Sequence, residues 1–135
     1  MRPNQVAPGP QPVTVLAQVD SGAWRSIFPK QIAYDLGIQD HELTQDPQGG
    51  SGVGSTFPVW MSTVPIAAGI AFFEPNPDGS ERPWGPGFAL EPGFTEHDAF
   101  LLGRADFFKA FTVIFDVDEN GGGRFKLVPR EAEPQ

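Results

Sequence analysis

An all-β domain with one or two short helices is what this sequence predicts, on three observations. Gly 16 and Pro 15 in 135 residues are an ample supply of turn formers, the apolar residues fall in short runs between those turns, and few segments carry helical periodicity. Apolar residues at 39%, with 12 Phe among them, are enough for one domain with a real core, and the length is too short for two ordinary domains. The chain divides into an extended N-terminal segment (1–12), a folded domain (13–130) and a polar C-terminal tail (131–135).

Composition narrows the functional classes. A net charge of −8 leaves no clustered Lys and Arg for phosphate contacts, so nucleic acid is not an expected partner. Cys is absent, which removes disulfides, thiol nucleophiles and Cys-based zinc sites and fits a reducing, cytoplasmic compartment. Met1 to Pro12 carries one Arg and four prolines but no apolar h-region, so no signal peptide is read there. The most apolar stretch, Val64 to Phe73, is too short to span a bilayer and contains Pro65 and Gly69, so no membrane partner is expected.

The elements follow in order. Val13 to Val19 is β-branched and apolar-rich, a strand that runs into the turn Asp20-Ser21-Gly22-Ala23. Phe28 to Ile38 carries a short helix: Pro29 sits near its first position, Ile32, Ala33 and Leu36 share a face, and Gly37 is a C-cap. Gly49 to Gly54 is a glycine-rich tip, Phe57 to Ala68 alternates as a strand, and Pro75 to Gly87 is a long turn-rich loop. Ala99 to Leu102 is a buried strand ending at Gly103-Arg104, and Ala105 to Lys109 is one helical turn. Phe111 to Val117 and Arg124 to Val128 close the domain as a hairpin around Asp118 to Gly123.

Two places carry chemistry. Val19-Asp20-Ser21-Gly22-Ala23 sets an acid at the end of an apolar strand, where backbone donors of a turn can hold a carboxylate in a cleft. Phe100 to Phe108 reads as apolar strand, Gly-Arg, then short helix. Taken separately each is a common pattern. Their order and separation, with a helix after the first and a glycine-rich hairpin between them, resemble the retropepsin-like (retroviral-type) aspartic proteases, in their bacterial and cellular single-domain form.

The resemblance spans roughly Val13 to Val128 and implies a single-lobe acid-protease barrel that works as a two-fold homodimer on a peptide or protein substrate, without cofactor or metal. It makes Asp20 the catalytic acid, Ser21 the hydroxyl that locks the two subunits' loops together, and Gly22 and Ala23 the rest of the active-site loop. Gly50 to Phe57 matches the flap that folds over bound peptide, with Gly52, Val53, Gly54 and Phe57 as its substrate-facing residues. Leu102, Gly103 and Arg104 match the structural strand and helix behind the catalytic loop. Two departures stand out. Trp24 occupies the position where the viral enzymes carry an acid that meets the arginine of the Gly-Arg pair, so Arg104 needs another partner. Only Met1 to Pro12 is available for the usual first strand, and its prolines cannot donate to a sheet.

Peptide hydrolysis of this kind needs two carboxylates, and the chain has a single Asp-Ser-Gly. In the dimer that the resemblance implies, the two Asp20 carboxylates share one proton, and activity is confined to an acid-to-neutral window. The intact Asp20-Ser21-Gly22 argues for an endopeptidase. A catalytically silent retropepsin-like dimerisation or peptide-binding module is the alternative, favoured by Trp24 and the short N-terminus.

Other motifs read as structure. Asp116, Asp118, Asn120 and Gly121 mimic a calcium loop, but Leu127 falls where the closing Glu belongs and both flanks read as strands. Glycines 49 to 54 miss the G-x-G-x-x-G frame at Ser55, and no Gly-Lys-Ser/Thr follows. His41 and His97 stand alone, Ser51 and Ser55 lack a G-x-S-x-G frame, and Trp24, Trp60 and Trp84 read as packing or cleft walls.

Overall fold

The computed structural model describes residues 12–52 and 55–130. Most of the N-terminal segment, the expected flap residues Val53 and Gly54, and the C-terminal tail lie outside the described residues. The fold is all-β with two short α-helices. Its elements are β1 (Gln18–Val19), β2 (Ile27–Pro29), α1 (Lys30–Asp35), β3 (Leu43–Gln45), β4 (Gly50–Gly52), β5 (Ser55–Phe57), β6 (Trp60–Ser62) and β7 (Ile66–Ala71). They continue with β8 (Pro83–Leu90), β9 (Gly93–Thr95), β10 (Leu101–Leu102), α2 (Phe107–Ala110), β11 (Phe111–Val117) and β12 (Gly123–Pro129).

A six-stranded sheet in the order β1-β10-β2-β9-β6-β3 forms the body. β1 runs parallel to β10 and β2 parallel to β9, while β10–β2, β9–β6 and β6–β3 are antiparallel. Three hairpins stand as separate two-stranded sheets: β4–β5, β7–β8 and β11–β12. β1 is shorter than the apolar run predicts, because only Gln18 and Val19 find partners, Leu101 and Leu102. Upstream of them Val15 and Ala17 still pack against the core.

The predicted helix forms but starts later. Phe28 and Pro29 belong to β2, and Pro29, with ψ 145°, is the N-cap. Its C-terminus closes as expected on Gly37 at φ 89°, with Gly37 N–H donating to Tyr34 O and Ile38 N–H to Ala33 O. Phe28, Ala33, Ile38 and Phe94 form the main core cluster, walled by Leu36, Leu43, Ile66, Leu90, Phe100 and Leu102. Full burial of Phe28, Ile38 or Phe94 is worth about 1.5–3 kcal/mol apiece. A second cluster is aromatic: Phe107 and Phe111 lie 5.2 Å apart, Phe88 packs edge-on to both, and Trp84 covers Phe111.

Two expectations are corrected. The run Phe57 to Ala68 is not one strand: it breaks into the end of β5, β6 and the start of β7, with Pro58 and Pro65 at the breaks, where no N–H is available for a ladder. The loop Pro75 to Gly87 is shorter than predicted, because Pro83 onward is strand β8, paired with β7. Its prolines hide it. From Trp84 to Phe88 the strand advances four residues while β7 advances two, so Gly85, at φ 71°, and Pro86 are absorbed in a bulge that asks for no donor. The closing hairpin is as expected: β11 and β12 pair over seven positions, and Asp118 Oδ1 accepts the N–H groups of Asn120 and Gly122 at the turn. No helix among the described residues is long and apolar enough to cross a membrane.

Candidate active site

Asp20 follows directly on β1. Its N–H donates to Leu102 O at 2.9 Å, extending the parallel pairing by one bond and fixing where the strand stops. The chain then turns: Ala23 N–H donates to Asp20 O at 3.1 Å, and Asp20 Oδ1 accepts Gly22 N–H at 2.9 Å. A Cβ on Gly22 would stand 3.2 Å from Asp20 Oδ1, so glycine lets the carboxylate lie against its own loop. Asp20 is half-buried, whereas Ser21 and Gly22 are exposed.

The strand and helix behind the loop hold it through the backbone. Arg104 N–H donates to Ala23 O at 3.0 Å and Ala105 N–H to Trp24 O at 2.8 Å. Gly103 is buried against the loop, and a Cβ there would come within 2.4 Å of the Arg25 carbonyl carbon. The Leu102-Gly103-Arg104 motif therefore acts as scaffold: Leu102 O and Arg104 N–H clasp the loop, and the bare Gly103 lets them approach. Arg104's side chain is exposed, and among the described residues no carboxylate lies within ion-pair distance of it. Trp24 is 63% exposed.

Beneath the loop lies a buried polar cluster. Ser26 and Asp106 are 0% and 6% exposed. Ser26 Oγ donates to Asp106 Oδ1 at 2.5 Å and accepts Gly103 N–H at 3.0 Å. Asp106 also accepts Phe107 N–H at 2.7 Å, as N-cap of α2, and Glu91 N–H at 3.0 Å. Every described buried side-chain polar atom has a partner.

The predicted flap is the hairpin β4–β5, paired Gly50 to Phe57, Ser51 to Thr56 and Gly52 to Ser55. Phe57 lies at its root rather than its tip: its ring meets His97 edge-on at 5.5 Å and covers Gly50, where a Cβ would lie 2.5 Å from it. Gly49, at φ 65°, is pressed against Phe57 O. This root is tied to the Asp20 loop, because Arg25 Nη2 lies 2.8 Å from Asp46 Oδ2. Asp46 also accepts Gln48 N–H at 2.9 Å. Together the Gln48 N–H and the Arg25 guanidinium hold its carboxyl below the usual 3.8.

A cleft of about 350 Å³ between Met61–Ile66 and Ala89–Pro92 contains none of the Asp20 loop. A smaller one of about 240 Å³ lies at the root of the β4–β5 hairpin, lined by Asp46, Gly49, Thr56 and Phe57. Among the described residues no group of three or more His, Asp or Glu could hold a metal ion.

Sequence reasoning missed Arg25, Ser26, Asp46 and Asp106. Asp106 before Phe107-Phe108-Lys109-Ala110 is a helix N-cap pattern, and Asp46-Pro47-Gln48-Gly49 is a turn pattern. Arg25 and Ser26 gave no local signal, since their partners lie 21 and 80 residues away. Comparison with protein-family models, with curated proteins and with solved structures yields no match.

Proposed function

We propose that this chain is one subunit of a retropepsin-like aspartic endopeptidase, a single lobe whose barrel and active site are completed by a second copy around a two-fold axis. The observation that carries the reading is the Asp20 loop: a half-buried carboxylate at a strand end, braced by Gly22 N–H and clasped from behind by Leu102-Gly103-Arg104. One Asp20 takes a proton from water as the water oxygen attacks the scissile carbonyl carbon; the other gives its proton to the carbonyl oxygen. Collapse of the diol, with protonation of the amine, breaks the C–N bond. Ser21, exposed beside Asp20, is free to reach the partner's loop. The β4–β5 hairpin covers the bound peptide.

The second copy also answers an exposed apolar face. On β11–β12, Phe115, Val117 and Phe125 are 57%, 63% and 49% exposed, with Phe115 directly opposite Phe125. Their face continues inward through Val113 and Leu127, and burying it against its own copy removes it from water. The lack of Cys suits a cytoplasmic setting.

A catalytically silent dimerisation or peptide-binding module is the second reading, favoured by Trp24 in place of the acid that would face Arg104. Cleavage of an unfolded protein by wild type and by Asp20→Asn separates them: the endopeptidase loses activity in the variant, and the silent module shows none in either.

A further inference from the structure

We infer that the Arg25–Asp46 ion pair is a positioning tether, fixing the orientation of the glycine-rich hairpin relative to the Asp20 loop and so setting how tightly a peptide is held. The inference rests on the proteolytic reading for its consequence, though not for its geometry.

Among the described residues the β4–β5 hairpin makes no ladder hydrogen bonds to the six-stranded sheet, and a lone two-stranded hairpin is marginal in water. Its direction is therefore decided at its root. The root is built on Asp46: its N–H donates to Val59 O at 2.8 Å, its O accepts Gly49 N–H at 3.1 Å, and its Oδ1 caps the turn through Gln48 N–H. That leaves Oδ2 for Arg25.

Arg25 is itself fixed. Gly103 presses on its backbone, its Cδ passes over Gly93, where a Cβ would lie 3.0 Å away, and its Nη1 lies 3.2 Å from Met61 Sδ. The pair joins the active-site loop to the flap root across 21 residues of sequence. Its side chains are only 18% and 20% exposed, so screening by solvent is partial. The Gln48 N–H and the Arg25 guanidinium both favour the charged form of the Asp46 carboxyl, which the pair requires.

The test uses the full chain with Arg25→Gln, Arg25→Lys, Asp46→Asn and the double variant R25Q/D46N. Asparagine keeps an oxygen for Gln48 N–H, so D46N removes the ion pair while sparing the turn. Amide hydrogen exchange at the cross-strand-bonded amides of β4–β5 is read against Ile27 and Phe94 in the sheet. The tether predicts hairpin exchange about five- to tenfold faster in R25Q and in D46N, a double variant no worse than either single, R25K intermediate, and the sheet amides unchanged. On a peptide substrate, KM rises by a similar factor while kcat changes less than about twofold. Unchanged hairpin exchange in both single variants overturns the inference, as does equal acceleration of hairpin and sheet, or a fall in kcat with KM constant. If wild type cleaves nothing, the proteolytic reading falls and the exchange comparison alone decides the tether.

Discussion

Ser26 Oγ donates to Asp106 Oδ1 at 2.5 Å from a position 80 residues earlier in the chain, and both groups are buried. This bond stitches the exit of the Asp20 loop to the N-cap of α2. The same hydroxyl accepts Gly103 N–H, so one serine serves both segments of the resemblance. Ser26→Ala leaves the buried Gly103 N–H without its acceptor and is expected to cost about 1–3 kcal/mol in denaturant unfolding. Asp106→Ala costs more, because Ser26, Glu91 N–H and Phe107 N–H lose a common acceptor. A loss under about 0.5 kcal/mol in both contradicts the network's role.

Gly103→Ala tests the close approach behind the loop. The added Cβ meets the Arg25 backbone at 2.4–2.9 Å, and neither backbone can yield without disturbing the Ala23 and Trp24 carbonyl bonds. The expected loss is about 1–3 kcal/mol, of the overpacking kind. Gly123→Ala is the control, since its Cβ meets nothing within 4 Å and its φ, like that of Gly103, is not positive. Equal losses for the two would put the effect of Gly103 in backbone freedom rather than in packing.

The ionisation of Asp46 has a signed consequence for stability. Its folded-state value lies below its ordinary 3.8, so its contribution is fully present above that value and is lost as pH falls through the folded one. The difference in denaturant midpoint between wild type and Asp46→Asn is therefore flat from about pH 7 to 5 and shrinks below about pH 4. A difference that grows toward acid contradicts the assignment.

Self-association is the next check. Phe115→Ser with Phe125→Ser, both on the exposed face of β11–β12, is expected to raise the dimer Kd at least about tenfold in analytical ultracentrifugation. A wild type that stays monomeric at high concentration contradicts the two-fold site outright, because one chain supplies one Asp20.

What could be read from the sequence was local. The turn after Val19, the Gly37 helix stop and the Phe111–Val128 hairpin each announce themselves through neighbours in the chain. β8 stayed hidden because Pro83 and Pro86 mark a loop by local rules, whereas pairing with β7 and a bulge accommodate them. β9 escaped notice because Gly93-Phe94-Thr95 is too short for a period, and what makes it a strand is its place between β2 and β6. Within the site, Asp20 and Gly103 stood out by motif. Arg25, Ser26 and Asp46 act through partners far away in sequence, and no periodicity or spacing encodes such pairs.

Everything proposed for the Asp20 loop depends on whether two copies of that carboxyl break a peptide bond together. The direct measurement compares wild type with Asp20→Asn on an unfolded protein substrate from pH 4 to 7, at a concentration that favours dimers. Asparagine keeps the size of the side chain and loses the proton-transfer role. Cleavage by wild type that disappears in the variant is the expected result. Cleavage that survives Asp20→Asn, or none from folded, dimeric wild type, contradicts it.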